Sequence, residues 1–184
     1  MLPLIWEESL TLEHDVYNAG KVLLVTNDLG PRVGGIESFV LSLVERVPKG
    51  SLVIYTSSQK GSAPFDALLL ERFGAIVIRD RAKILLPTPR VNHRAVRILK
   101  QYQIKTVWFG AAAPLALMAK QLRTSGATNI IALSHGHEIW WAKIPIFKQL
   151  LRKIIHDVNY LGYLGNFTKS ELLKVSDDPD KLIQ

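Results

Sequence analysis

The 184-residue sequence contains no cysteine. That excludes a disulfide framework and any thiolate-held metal, and it fits a reducing compartment. No apolar run approaches the roughly 20 residues that a membrane-spanning helix needs. There is no internal repeat and no low-complexity tract. Residues 1–20 lack any basic side chain while carrying Glu7, Glu8, Glu13 and Asp15, the reverse of a secretory leader, and they read as a loosely ordered extension. Negative charge is in the minority: 23 Lys and Arg stand against 16 Asp and Glu, a net charge of +7. A basic balance suits an anionic partner such as nucleic acid, anionic lipid or a phosphorylated ligand. No helix-turn-helix, zinc-finger or RNP-like pattern is visible, which argues against nucleic acid.

Two phosphate-binding signatures are also missing. Gly30 and Gly35 have the glycine spacing of a Walker A loop, but Ile36 and Glu37 stand where its Lys and Ser or Thr belong. A dinucleotide fingerprint needs Gly-x-Gly-x-x-Gly and an acid closing the second strand. Here the glycine spacing is wrong and the second apolar run ends at Tyr55-Thr56.

What is present is a regular alternation. Apolar runs rich in β-branched residues at Val22–Val25, Ser51–Thr56, Ala75–Ile78, Thr106–Phe109, Asn129–Leu133 and Tyr160–Leu164 read as strands. Between them, apolar residues recur at helical spacing: Ile36 to Val47, Pro64 to Phe73, Val91 to Gln103, Ala111 to about Leu122, and Ile144 to Val158. A last short helix follows Asn166. Such alternation predicts an α/β fold, a parallel sheet with helices on both faces, and right-handed crossovers make it doubly wound. Residues 21–175 form this domain, and 176–184 read as a polar tail.

Ligands of such sheets bind at the carboxyl ends of the strands. Three strand ends there are unusual. The first carries Gly34-Gly35 at a helix start, where unpaired N–H groups and the helix dipole favour an anion. A tight turn is the simpler explanation of the same glycines. The second is Gly110 followed by three alanines. The third is His135-Gly136-His137-Glu138. A His-x-His pair after a strand can begin a metal site, but further ligands are needed and only His156 remains downstream, inside a helix pattern. His135 is instead placed to hydrogen-bond a neutral group such as a sugar hydroxyl, or merely backbone. Lys143, Lys148, Arg152 and Lys153 border the stripe of Phe147, Leu150, Leu151, Ile154 and Ile155; that helix can pack on the sheet while its basic side meets anionic lipid. Arg79, Arg81, Lys83 and Arg90 form a second basic group.

Three segments taken together, Pro31 to Ser38, Trp108 to Ala116 and His135 to Glu138, resemble the N-terminal half of a GT-B glycosyltransferase. More narrowly, they resemble the actinobacterial mannosyltransferases that use GDP-mannose to extend phosphatidylinositol monomannoside. The likeness runs from about Lys21 to Leu173. It implies a Rossmann-like domain on the acceptor side of a cleft, working without a metal or other cofactor at the cytoplasmic face of the plasma membrane. It implies that Gly34 and Gly35 lie against the donor diphosphate and that His135 contacts the transferred mannose, with retention of configuration. Asn27, Asp28, Arg32, Gly110, His137 and Glu138 become candidate acceptor or sugar contacts. The donor-binding domain of that family has no counterpart after Leu173, so the chain alone is expected to have little transferase activity. The alternative is a catalytically silent binding module for anionic lipid or sugar phosphate.

Overall fold

A computed structural model describes residues 20–184; the expected N-terminal extension lies outside the described residues. The element order is β1 (Val22–Thr26), α1 (Gly35–Val44), β2 (Leu52–Thr56), α2 (Ser62–Phe73), β3 (Ile76–Arg79), α3 (Pro89–Gln101), β4 (Thr106–Phe109), a 3-10 turn (Leu115–Met118), α4 (Ala119–Thr124) and β5 (Asn129–Ser134). A second 3-10 segment (His137–Lys143), α5 (Pro145–Asp157), β6 (Tyr160–Tyr163), α6 (Asn166–Leu173), a third 3-10 turn (Pro179–Lys181) and β7 (Leu182–Ile183) complete it. The strands make one parallel sheet in the order β3-β2-β1-β4-β5-β6-β7.

Side chains alternate across the sheet, and the two faces are covered separately. Leu23, Val25, Val53, Tyr55, Val107 and Phe109 pack under Val91, Ala95, Ile98 and Leu99 of α3 and under Leu151, Ile154 and Ile155 of α5. Leu24, Leu52 and Ile54 pack against Val40 and Val44 of α1 and Leu69 of α2 on the other face. The chain builds outward from β1 to β3, then α3 carries it back across the sheet to β4 and it builds the other way. The order therefore reverses between β1 and β4. Loops leaving those two strands part to opposite faces, and the crevice between them is where a doubly wound sheet binds its ligand.

The structure departs from the sequence pattern in three places. The helix expected from Ala111 begins only at Leu115, as a 3-10 turn before α4. The residue preceding a proline is disfavoured in the helical region, so Ala113 before Pro114 stays out of the helix. Ala112 donates instead to the Leu133 carbonyl at 2.8 Å. His137–Lys143 forms a 3-10 segment where no element is expected. Beyond Val175 the stretch read as a polar tail is not wholly one: Leu182–Ile183 extends the sheet beside β6, with Leu182 buried.

Candidate functional site

The loop after β1 is held from three directions. Asn27 exchanges two hydrogen bonds with the Leu85 backbone, donating through Nδ2 at 3.0 Å and accepting through Oδ1 at 2.7 Å. Gln59 donates to the Leu29 carbonyl at 2.7 Å. Arg79 donates to the Gly30 carbonyl at 2.6 Å and to the Ser57 carbonyl at 3.1 Å, while its guanidinium grips Asp66 at 2.7–3.2 Å. Asn27 thus spends its amide on the loop that precedes α3. Arg79, grouped in the sequence with free basic residues, turns inward and ties the glycine loop to α2. That loop is fixed by hydrogen bonds to three separate segments.

The loop delivers the chain to the N-terminus of α1. Gly34 is the extended N-cap, with no side-chain cap on the first turn, and Ser38 N–H donates to the Gly34 carbonyl at 2.9 Å. Around Gly35, a side chain would meet no atom within 4 Å, so its backbone faces open space. Gly34 is different: a Cβ there would collide with the Glu37 carboxylate, which folds back over it. Glu37 in turn accepts from Arg32 Nε at 2.6 Å, and Arg32 reaches Asp28 at 3.7 Å. Asp28 N–H is fixed by the Thr26 hydroxyl at 2.9 Å.

Gly110 sits across the switch point. Its N–H donates to the Val25 carbonyl at 3.0 Å, stitching the end of β4 to β1. A Cβ at this position would lie 2.7 Å from Thr26 Oγ1, so only glycine allows the two strand ends to close. His135, just past β5, sits 2.7 Å from the Gly110 carbonyl through Nε2. A carbonyl only accepts, so Nε2 carries the proton and Nδ1 is the ring's remaining site. The imidazole also meets the Phe39 ring edge to face, centroids 5.2 Å apart. Phe39 belongs to α1, the helix that starts at Gly35. The β1 loop, Gly110 and His135 therefore gather on one crevice, joined through backbone and Phe39. Phe39 reads in sequence as one more apolar residue of the α1 stripe, and nothing marks it as the wall of a site. His137 and Glu138 lie in the 3-10 segment that follows, and their side chains are outside the described residues.

A second feature flanks the crevice. Asp80, at the end of β3, has a side chain only 3% exposed that accepts four hydrogen bonds: two from the Arg90 guanidinium at 2.8 and 2.9 Å, one from the Tyr55 hydroxyl at 2.6 Å and one from Ala82 N–H at 2.8 Å. The Arg90 hydrogen bonds hold its carboxyl well below the usual carboxylate range, against the opposing effect of burial. Burial and the adjacent Asp80 push the Tyr55 phenol up. From this anchor α3 runs back across one face of the sheet, and its outer face bears His93, Arg94, Arg97 and Lys100. These, with Arg81 and Asp80, line an open groove of about 1300 Å³.

On the opposite flank, the four cations expected to meet lipid are not alike. Lys143 is exposed and Lys148 half-buried. Arg152 donates to the Val175 carbonyl at 3.3 Å and pairs with Asp177 at 3.4 Å, and Lys153 pairs with Asp157 at 2.7 Å. Beside them Trp140 meets Trp141 and Phe147 edge to face, and Trp141 and Phe147 lie tilted against each other. Trp140 and Ile146 are exposed. No helix among the described residues is long and apolar enough to cross a membrane.

No protein-family model matches this sequence. Curated relatives do. A GDP-mannose-dependent alpha-(1-6)-phosphatidylinositol monomannoside mannosyltransferase of Mycolicibacterium smegmatis is 40% identical over 150 residues, 81% of this chain and 39% of that protein. The protein of the same name from Mycobacterium tuberculosis is 38% identical over 153 residues, 82% of this chain and 40% of its own length. A GDP-mannose-dependent monoacylated alpha-(1-6)-phosphatidylinositol monomannoside mannosyltransferase of Corynebacterium glutamicum is 40% identical over 150 residues, 80% of this chain and 38% of its own. The chain is a homologue of these mannosyltransferases. It spans about two-fifths of the length of the relatives it matches. The homology agrees with the Rossmann-like α/β sheet and with the GT-B resemblance of the three strand-end segments.

Proposed function

We propose that this chain forms the acceptor-facing half of a transfer of mannose from GDP-mannose to a phosphatidylinositol mannoside, with retention of configuration. The observation that carries the reading is the convergence of the open Gly35 backbone, Gly110 and His135 on the switch-point crevice, in a homologue of enzymes named for that donor and acceptor. A departing nucleoside diphosphate gains negative charge as the sugar leaves. Aligned N–H groups at the start of α1 stabilise charge at that place without a metal. His135 Nδ1 supplies a polar contact for the sugar, with the ring orientation set by Gly110 and Phe39. The base and the remaining phosphate contacts of the donor come from a facing domain, so this chain alone binds substrates without turning them over.

The acceptor is a lipid, and the chain meets it at an anionic bilayer. Among the described residues, the α3 face gathers the exposed cations Arg94, Arg97 and Lys100, whereas Arg152 and Lys153 of α5 are engaged in pairs. The test is co-sedimentation of the chain with vesicles of phosphatidylcholine alone, or doped with phosphatidylinositol monomannoside, at rising salt, together with NMR titration by GDP-mannose. Expected are binding to the doped vesicles that weakens with salt and with Arg94→Glu/Arg97→Glu, and amide shifts at Gly34–Glu37 and His135. Equal, negligible binding to both vesicles together with no amide shifts at millimolar GDP-mannose overturns the reading.

A further inference from the structure

The first turn of α1 is not vacant. Glu37 is its third residue after the N-cap, where a carboxylate can fold back on the exposed backbone donors and gain from the helix dipole. One carboxylate oxygen accepts from Arg32 at 2.6 Å, and the other rests over Gly34 in the space a side chain would take. The Glu37 side chain is 10% exposed, while Arg32 is 62% exposed and has Asp28 as its other acid neighbour at 3.7 Å. An anion already lies against the glycine expected to receive a phosphate, neutralised by the nearest arginine.

Resting on the reading that the donor diphosphate binds at Gly34 and Gly35, we propose that Glu37 is a displaceable internal occupant of that position. Two anions cannot share the turn without strong repulsion at the reduced effective dielectric of a half-buried site. Binding of the diphosphate swings the Glu37 carboxylate outward and transfers Arg32 from carboxylate to phosphate. Arg32 is suited to this exchange: its planar fork fits carboxylate and phosphate alike, and its exposed stem is free to turn. The glycine at position 34 serves both states, leaving room first for the carboxylate and then for the ligand. Glu37 thereby sets the affinity for the donor and discriminates against weak anions, which cannot repay its displacement.

The test is titration of the chain with GDP and, separately, inorganic pyrophosphate at low salt, read by the amides of 34–37 and the Arg32 Nε–H resonance. Glu37→Gln keeps the volume and the acceptor for Arg32 but removes the charge. It is expected to tighten binding about tenfold, with the gain larger for pyrophosphate than for GDP. Arg32→Gln is expected to weaken binding about tenfold, and the Arg32 Nε–H signal of the wild type is expected to move on saturation. A thermal melt of each variant confirms the fold, and Glu37→Ser replaces Glu37→Gln if that variant melts early. If the wild type binds and Glu37→Gln binds no better, or the Arg32 signal stays still, the proposal is overturned while the donor reading stands. If no variant binds either ligand, the donor reading itself fails and the proposal falls with it.

Discussion

The Tyr55–Asp80–Arg90 cluster invites a quantitative test, because one atom can be removed without opening a cavity. Tyr55 is fully buried, and its hydroxyl donates to a carboxylate that is itself 3% exposed. Tyr55→Phe deletes that donor and preserves the ring packing beneath α3. A hydrogen bond to a charged partner contributes about 1.5–3 kcal/mol, more than a neutral one, because the acceptor keeps its cost of burial when the donor goes. Asp80 retains Arg90 and Ala82, which places the expected loss near the middle of that range, about 2 kcal/mol. For a domain of this size each kcal/mol moves the melting temperature by roughly 2–4 °C, so Tyr55→Phe should melt about 4–8 °C below the wild type. Urea unfolding followed by tryptophan fluorescence measures the free energy directly. The cycle of Tyr55→Phe, Asp80→Asn and the double variant should show a coupling of about 1 kcal/mol or more, since the two groups touch. A Tyr55→Phe variant within 0.5 kcal/mol of the wild type, or strictly additive effects, would refute the claim that this hydrogen bond ties the end of β3 to β2.

The pH dependence follows from the same carboxylate. The Asp80 carboxyl is depressed chiefly by Arg90, and the Asp157 carboxyl ends below its ordinary value because Lys153 and His156 outweigh the opposing effect of burial. A depressed folded value means the unfolded chain takes up protons first, so both groups contribute stability above about pH 4 and lose it as pH falls through their folded values. Urea midpoints should therefore decline steadily below pH 4, and Asp80→Asn should flatten that decline; an unchanged slope would remove Asp80 from the account. Gly35→Ala adds a methyl to open space at a helical residue, so it should leave the melting temperature unchanged or raise it by up to about 3 °C, while GDP binding followed by NMR weakens at least several-fold. Gly110→Ala instead forces a Cβ within 2.7 Å of the buried Thr26 hydroxyl and should cost about 1–3 kcal/mol in urea unfolding. If Gly35→Ala binds GDP as the wild type does, the diphosphate does not lie against that backbone.

The alternation of strands and helices, and with it the α/β class, is local and is written in the sequence alone. Period-two and period-3.6 patterns are local, so six of the seven strands and the major helices were legible from hydrophobicity and punctuation alone. The rule that ligands sit at strand carboxyl ends singles out Gly34-Gly35, Gly110 and His135 from sequence alone. Strand order is non-local, and only the fold puts β1 beside β4 and so brings those three ends onto one crevice. Partner choice among charges is also non-local. Arg79 and Arg90 look like their neighbours Arg81 and Lys83 in the chain, yet Asp66 and Asp80 claim them. Phe39 and Leu182 carry the same apolar signal as any core residue. What distinguishes them is the ring of His135 in one case and the open edge of β6 in the other, both set by backbone geometry across the sheet rather than by spacing along the chain. Glu37 is the sharpest instance: in sequence it is an unremarkable acid at a helix start, and only the fold lays its carboxylate back over Gly34.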